Sequence, residues 1–131
     1  MNIFAVFAIF IFSGAGLGAL LRWGLGLRLN PVFATLPLGT LAANLPGGLL
    51  VGLAVAWFGR LPRLLPEVRL VAITGLLGGL TTFSTFSAEV VTLLASGEYG
   101  WGLLAAATHL AGSPALTATG MALAHMSMVR I

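Results

Sequence analysis

Apolar residues arrive along this chain in long runs, and the charged ones collect between them. Four stretches, residues 3–27, 38–58, 68–94 and 101–128, are dominated by Leu, Ala, Val, Ile, Phe and Gly. Each is long enough to cross a hydrocarbon core, which takes roughly 20 helical residues. The connectors hold the breakers and most of the charge. Arg28, Asn30, Pro31 and Pro37 follow the first run, Arg60, Pro62, Arg63 and Pro66 follow the second, and the short third connector carries Glu98. The pattern predicts an all-α membrane protein with four transmembrane helices, a single four-span domain over residues 1–131 and no separate soluble domain.

The third run departs from this pattern in its middle. Residues 74–89 read Thr-Gly-Leu-Leu-Gly-Gly-Leu-Thr-Thr-Phe-Ser-Thr-Phe-Ser-Ala-Glu. Gly78-Gly79 and then Thr81-Thr82 lower helix propensity through backbone entropy and β-branching. A break is therefore expected near the middle of the third helix. At bilayer depth a break survives only where protein or a water-lined cavity satisfies the freed backbone. Carbonyls closing the first half-helix suit a cation, and N–H groups opening the second suit an anion. Phe83 and Phe86 are spaced to project from one face. Such a pair in a generic span packs against lipid or core, but here it alternates with Ser84, Thr85 and Ser87. Ring edges carry positive potential and hold a small anion without fixed charge, while hydroxyls replace its hydration.

The other spans carry polar groups at helical spacing. Gly14, Gly18 and Arg22 recur every four residues, as do Asn44, Gly48 and Gly52, with Gly39, Ala43 and Gly47 as a neighbouring stripe. Small residues so spaced let helices approach closely. Arg22 is either a snorkelling anchor or a cation that draws anions into a vestibule. Asn44 is either interhelical glue or a donor of its amide N–H groups to a permeating anion. Pro46 frees the Ala42 carbonyl and predicts a kink. On the fourth span Ala105, His109, Ser113 and Thr117 share a face, and Pro114 frees the carbonyl of Leu110. Glu89, at or near membrane depth, is a functional candidate or an interfacial residue, with Arg22 or Arg69 as a candidate partner.

Composition narrows the class. Hydrophobic residues make up 59% and charged residues 7%, and the mean hydropathy is +1.08, whereas soluble domains carry about 25% charged residues. The net charge of +3 comes from six arginines set against three acids. Those arginines are scattered, so no face for nucleic acid exists. Cysteine is absent, and His109 and His125 stand far from each other and from any acid along the sequence, which excludes thiolate sites and argues against a metal cluster within one chain. The first apolar stretch runs from residue 3 to 21 before Arg22, beyond the usual h-region of about 7–15 residues, and is expected to be retained as a span. Trp23, Trp57 and Trp101 fall near span ends, as interfacial aromatics do. Arg60, Arg63, Arg69 and Arg130 lie on one predicted side and Arg28, with Arg22, on the other, a weak bias that permits insertion both ways. No nucleophile–base or carboxylate pair points to an enzyme.

Gly78-Gly-Leu-Thr-Thr-Phe-Ser-Thr-Phe-Ser87, Gly39-Thr-Leu-Ala-Ala-Asn44 with Gly47-Gly48, and Gly18-Ala-Leu-Leu-Arg22 resemble the Fluc (CrcB) family of fluoride channels. The resemblance covers all four spans. It implies an antiparallel, dual-topology homodimer in the bacterial plasma (inner) membrane, with two fluoride pores and a structural sodium ion on the two-fold axis. Such a protein passively exports fluoride and so protects against its toxicity; its partners are fluoride, sodium, lipid and a second copy. Carried onto this chain, it makes Phe83 and Phe86 pore rings, Asn44 a pore amide, and Ser84, Thr85, Ser113 and Thr117 polar lining. Gly78 and Thr81 would offer backbone carbonyls to sodium, and Arg22 would sit in the vestibule. Ala105 and His109 stand where many members have Tyr and Ser, and Pro46 and Pro114 replace ordinary apolar residues. His109 is then either a neutral histidine bonded inside the bundle or a pore residue that makes conduction pH-sensitive, its unperturbed pKa being about 6.5. The alternative is a small proton-coupled multidrug or cation transporter, also a four-span antiparallel dimer. That chemistry needs a deep carboxylate, for which Glu89 is the candidate.

Overall fold

The structure is a computed structural model that describes residues 1–130. It is helical throughout, with no strand among the described residues. Helix α1 (Ile3–Leu29) opens where the Asn2 side chain accepts the Ala5 N–H at 2.8 Å, which satisfies an otherwise orphaned donor. It gives way to a short 3-10 turn, Asn30–Val32, at Pro31. Helix α2 (Leu38–Gly59) starts after Pro37, and Asn30 reaches forward to accept the N–H of Gly39 at 2.8 Å. Its far end is closed by Arg69, which donates to the carbonyls of Phe58 and Leu61.

Helix α3 (66–80) begins with proline in its first turn, where the missing N–H costs nothing. Helical geometry lapses after Leu80 and resumes in α4 (Ser84–Ala95). That helix ends in a Schellman turn, Glu98 N–H to Leu93 O at 2.9 Å and Gly97 N–H to Leu94 O at 3.1 Å. The turn requires φ of +80° at residue 97, which glycine adopts without penalty. Helix α5 (99–129) follows directly.

Two stretches widen into π-helix, Leu70–Leu77 in α3 and Thr108–Gly112 in α5. The second immediately precedes Pro114, whose ring crowds the turn before it and cannot donate to Leu110. A wider turn relieves that crowding. Pro46, by contrast, is carried inside a continuous α2.

Three segments are long and apolar enough to cross a membrane: Ile3–Val32, Leu38–Gly59 and Pro66–Ala95. Helix α5 is as long but is diluted by Thr108, His109, Ser113, Thr117 and Thr119. Packing is inside-out relative to a soluble protein. The buried apolar residues are few, and half of them are alanines, Ala43, Ala105 and Ala124, while Phe4, Phe12, Leu17 and Leu103 lie on the outside. Thr40, Asn44 and His109 are buried instead. Helix α1 packs on α3 and α2 packs on α5, and glycine makes both contacts possible. A Cβ on Gly14 would lie 2.5 Å from the Val71 carbonyl oxygen, and one on Gly48 would lie 2.9 Å from that of Ser113. The small-residue spacing in α1 and α2 thus marks backbone-to-backbone contact surfaces.

Candidate functional site

The site is built on the lapse between α3 and α4. Thr81 takes an extended conformation, φ −80° and ψ 152°, so the N–H groups that would continue the helical ladder turn elsewhere. Asn44, from α2, occupies the gap. Its Oδ1 accepts the Thr82 N–H at 2.7 Å and its Nδ2 donates to the Thr82 carbonyl at 2.8 Å. One side chain therefore pairs both backbone groups of one residue, in the manner of a neighbouring strand. The Thr82 hydroxyl accepts the Thr85 N–H at 3.1 Å and caps the restarted helix.

This arrangement leaves particular backbone groups free. The carbonyls of Gly78 and Thr81 would normally accept from Thr82 and Thr85, but those donors are engaged with Asn44 and with the Thr82 hydroxyl. No backbone N–H replaces them. The N–H groups of Phe83 and Phe86 likewise have no backbone acceptor. Free carbonyls close the first segment and free N–H groups open the second, the polarity that suits a cation at one and an anion at the other.

A cavity of about 540 Å³ adjoins the gap, lined by Asn44, Phe83, Phe86, His109, Ser113 and Thr117 among others. The two phenyl rings meet edge to face, centroids 5.2 Å apart at 78°. They differ in exposure: Phe86 is 5% exposed and Phe83 is 69% exposed, so only the inner ring is enclosed by its own chain. His109 lies nearly flat against Phe86, centroids 4.5 Å apart and 30° between planes. It is also bonded to Asn44, Nδ2 to Nδ1 at 3.0 Å.

The Asn44 amide, expected to donate to an anion, has protein partners in this structure. Both its N–H groups are already engaged, with the Thr82 carbonyl and with His109. On α5 the Thr117 hydroxyl donates inward, with the Gly48 and Ser113 carbonyls at 2.9 and 3.0 Å. Its proton is thus turned away from the cavity. Ser113 is half-buried and lines the cavity.

A second, smaller cavity of about 270 Å³ is lined by Arg22, Thr40, Thr85 and Glu89 among others. Arg22 donates to the Gly79 carbonyl at 3.2 Å and approaches Thr85 Oγ1 at 3.5 Å. Glu89 pairs with neither Arg22 nor Arg69. Its partner is Thr40, whose hydroxyl donates to Oε1 at 2.5 Å. Arg69 is spent on the end of α2. Thr85 therefore belongs with Arg22 rather than with the phenyl rings, and Ser84 is exposed, 3.3 Å from the Thr82 hydroxyl.

Two residues outside the expected site list organise the site. Thr82 matters through its backbone, which no side-chain motif announces. Thr40 was legible, because it stands four residues before Asn44 on the same face.

The family described as CrcB-like protein, Camphor Resistance (CrcB), matches residues 9–121. A protein of Nitrosospira multiformis named Fluoride-specific ion channel FluC is 57% identical over 121 residues, 92% of this chain and 93% of the relative. Proteins of the same name from Burkholderia cenocepacia and Thiobacillus denitrificans are each 62% identical. The first match covers 85% of this chain and 87% of the relative, the second 82% and 86%. A match spanning nearly all of the helical chain, at this identity, shows that the protein belongs to the CrcB family.

Proposed function

We propose that this chain is a fluoride-specific ion channel of the bacterial cell membrane, a passive multi-pass conduit that exports fluoride and protects against its toxicity. It is a channel and not an enzyme. The observation that carries the reading is the gap at residues 81–83, where free carbonyls and free N–H groups lie beside two edge-to-face phenyl rings and a cavity. The family match and the relatives' printed name agree with it.

In this reading α5 is the fourth span, α3 and α4 together are one broken span, and two copies insert antiparallel. Three features support the dimer. Phe83 is exposed on one chain, Gly78 is exposed with its carbonyl unpaired, and the weak charge asymmetry of the connectors permits both orientations. The carbonyls of Gly78 and Thr81 would hold sodium, and their lack of hydrogen-bond donors fits that ligand set. Bound there, the cation would supply a fixed positive charge joining the two copies.

Fluoride loses hydration on entering a path lined by protein, and the chain must replace it without binding too tightly to release. Positive ring edges of Phe83 and Phe86 give weak, repeated attraction. The Ser113 hydroxyl adds a donor on the facing helix. Arg22, beside Thr85, raises the local anion concentration at the smaller cavity.

Efflux from proteoliposomes, with internal fluoride or chloride and no proton gradient, tests the class. Fluoride should leave and chloride should stay. Cation movement that requires a proton gradient would instead establish the transporter reading and place Glu89 at its centre.

A further inference from the structure

We propose that His109 is the principal anion donor of the larger cavity, through Nε2–H, and that Asn44 acts through it as a positioning residue. The inference rests on the channel reading and adds a residue role that reading does not need.

The proton's place follows from a chain of obligatory donors. A backbone N–H can only donate, so the Asn44 atom 2.7 Å from the Thr82 nitrogen must be the amide oxygen. The opposite atom is therefore the nitrogen, and it lies 2.8 Å from the Thr82 carbonyl and 3.0 Å from His109 Nδ1. An amide nitrogen donates only, so Nδ1 must accept. A neutral imidazole that accepts at Nδ1 carries its proton on Nε2. The amide's orientation, usually ambiguous, is set here by Thr82.

Nε2–H is then free. It has no hydrogen-bond partner among the described residues, although His109 is only 5% exposed. Glu67 Oε2 is the one described side-chain polar atom that is both sealed and unpartnered. Nε2 is not sealed, and His109 lines the larger cavity. The opposite requirement, a ring that cannot turn, is met by Phe86 against one face and Asn44 at Nδ1.

The neighbours add no competing charge. His109 is the only titratable side chain lining this cavity among the described residues. Glu89 is bonded to Thr40, and Arg22 to the Gly79 carbonyl. The ligand this site fits is a small, weakly polarisable anion that takes a single strong N–H donor while phenyl edges surround it.

Two measurements on the full chain test the proposal. Imidazole ¹⁵N shifts of the detergent-solubilised protein, with His109 assigned from the signals lost in His109→Gln, should show the Nε2–H form. Adding sodium fluoride should shift Nε2, and sodium chloride should not. A proton on Nδ1, or no response of Nε2 to fluoride, overturns the proposal whatever the flux. In proteoliposomes His109→Gln, whose amide reaches the Nε2 position, should keep efflux within about threefold. His109→Leu should lose roughly tenfold to a hundredfold, the scale of one hydrogen bond to a charged group. If His109→Leu conducts like wild type, Nε2 is not the donor though the channel stands. If wild type passes no fluoride, the channel reading fails and the ¹⁵N spectrum alone decides the donor. Should His109→Leu fail to assemble, the Gln variant and the spectrum carry the decision.

Discussion

Asn44→Ala is the perturbation that most directly tests how the gap between α3 and α4 is held. The substitution removes three hydrogen bonds at once, at 2.7, 2.8 and 3.0 Å. It strands both backbone groups of Thr82 and the Nδ1 of His109. Polar bonds between membrane helices average about 0.6 kcal/mol and reach about 1.7, so three of them amount to about 2–5 kcal/mol. Two considerations decide where in that range the loss falls. The orphaned groups border a cavity that admits water, which pulls the cost down. The backbone of Thr82 cannot return to helix without moving Thr81 and its neighbours, which pushes it up. A loss of about 2–3 kcal/mol is expected. Reversible unfolding in mixed micelles of increasing SDS fraction, followed by tryptophan fluorescence, measures it. Asn44→Ala should unfold at a clearly lower SDS fraction, and Asn44→Asp, which keeps only the acceptor for the Thr82 N–H, should fall in between. An Asn44→Ala protein within about 0.5 kcal/mol of wild type, the size of an ordinary surface change, would show that the gap holds itself open and that Asn44 is incidental.

Three further outcomes are expected. Phe86→Ile, and separately Phe83→Ile, should cut fluoride efflux by at least about tenfold, the loss of roughly 1.4 kcal/mol of ion stabilisation, with the elution volume in size-exclusion chromatography unchanged; unaltered flux in both would refute the ring-edge mechanism. Gly52→Val should cost about 1–3 kcal/mol or more, read in the same SDS titration, because its side chain would run into the Thr117 backbone; Gly16→Val, where the added carbon meets nothing, should be close to neutral. Fluoride efflux measured from pH 8 to 5.5 should fall on acidification in wild type and stay flat in His109→Ser. A protonated His109 would point a second N–H at the Asn44 amide nitrogen, which Thr82 prevents from turning; identical profiles would remove His109 from the control of conduction, and a slope that survives in His109→Ser would move it to Glu89.

Much of the fold was legible because the bilayer imposes a simple rule. Long apolar runs must be helices in lipid, and prolines and charges must lie between them. Gly78-Gly79 and Thr81-Thr82 weaken the helix locally whatever surrounds them, and residues 81–83 are not helical. The glycines every four residues in α1 and α2 announced close contacts, though not which helix each would meet. Motif and spacing likewise picked out the residues of the larger cavity, Phe83, Phe86, His109 and Ser113.

Only the tertiary structure decided how those residues divide the work. Sequence assigns Asn44 a side-chain amide; the fold spends that amide on Thr82 and His109, because the freed backbone at the gap is the nearest unsatisfied group and a polar group buried unpaired is costly. Glu89 took Thr40 and not an arginine, for Arg69 had carbonyls to close at the end of α2 and Arg22 faced Gly79. The sequence by itself determined an all-helical chain of long apolar runs and where its polar side chains interrupt them. Which of their donors remain free was settled in three dimensions, since a hydrogen-bond donor is satisfied by whatever lies within about 3 Å of it and not by its neighbours along the chain.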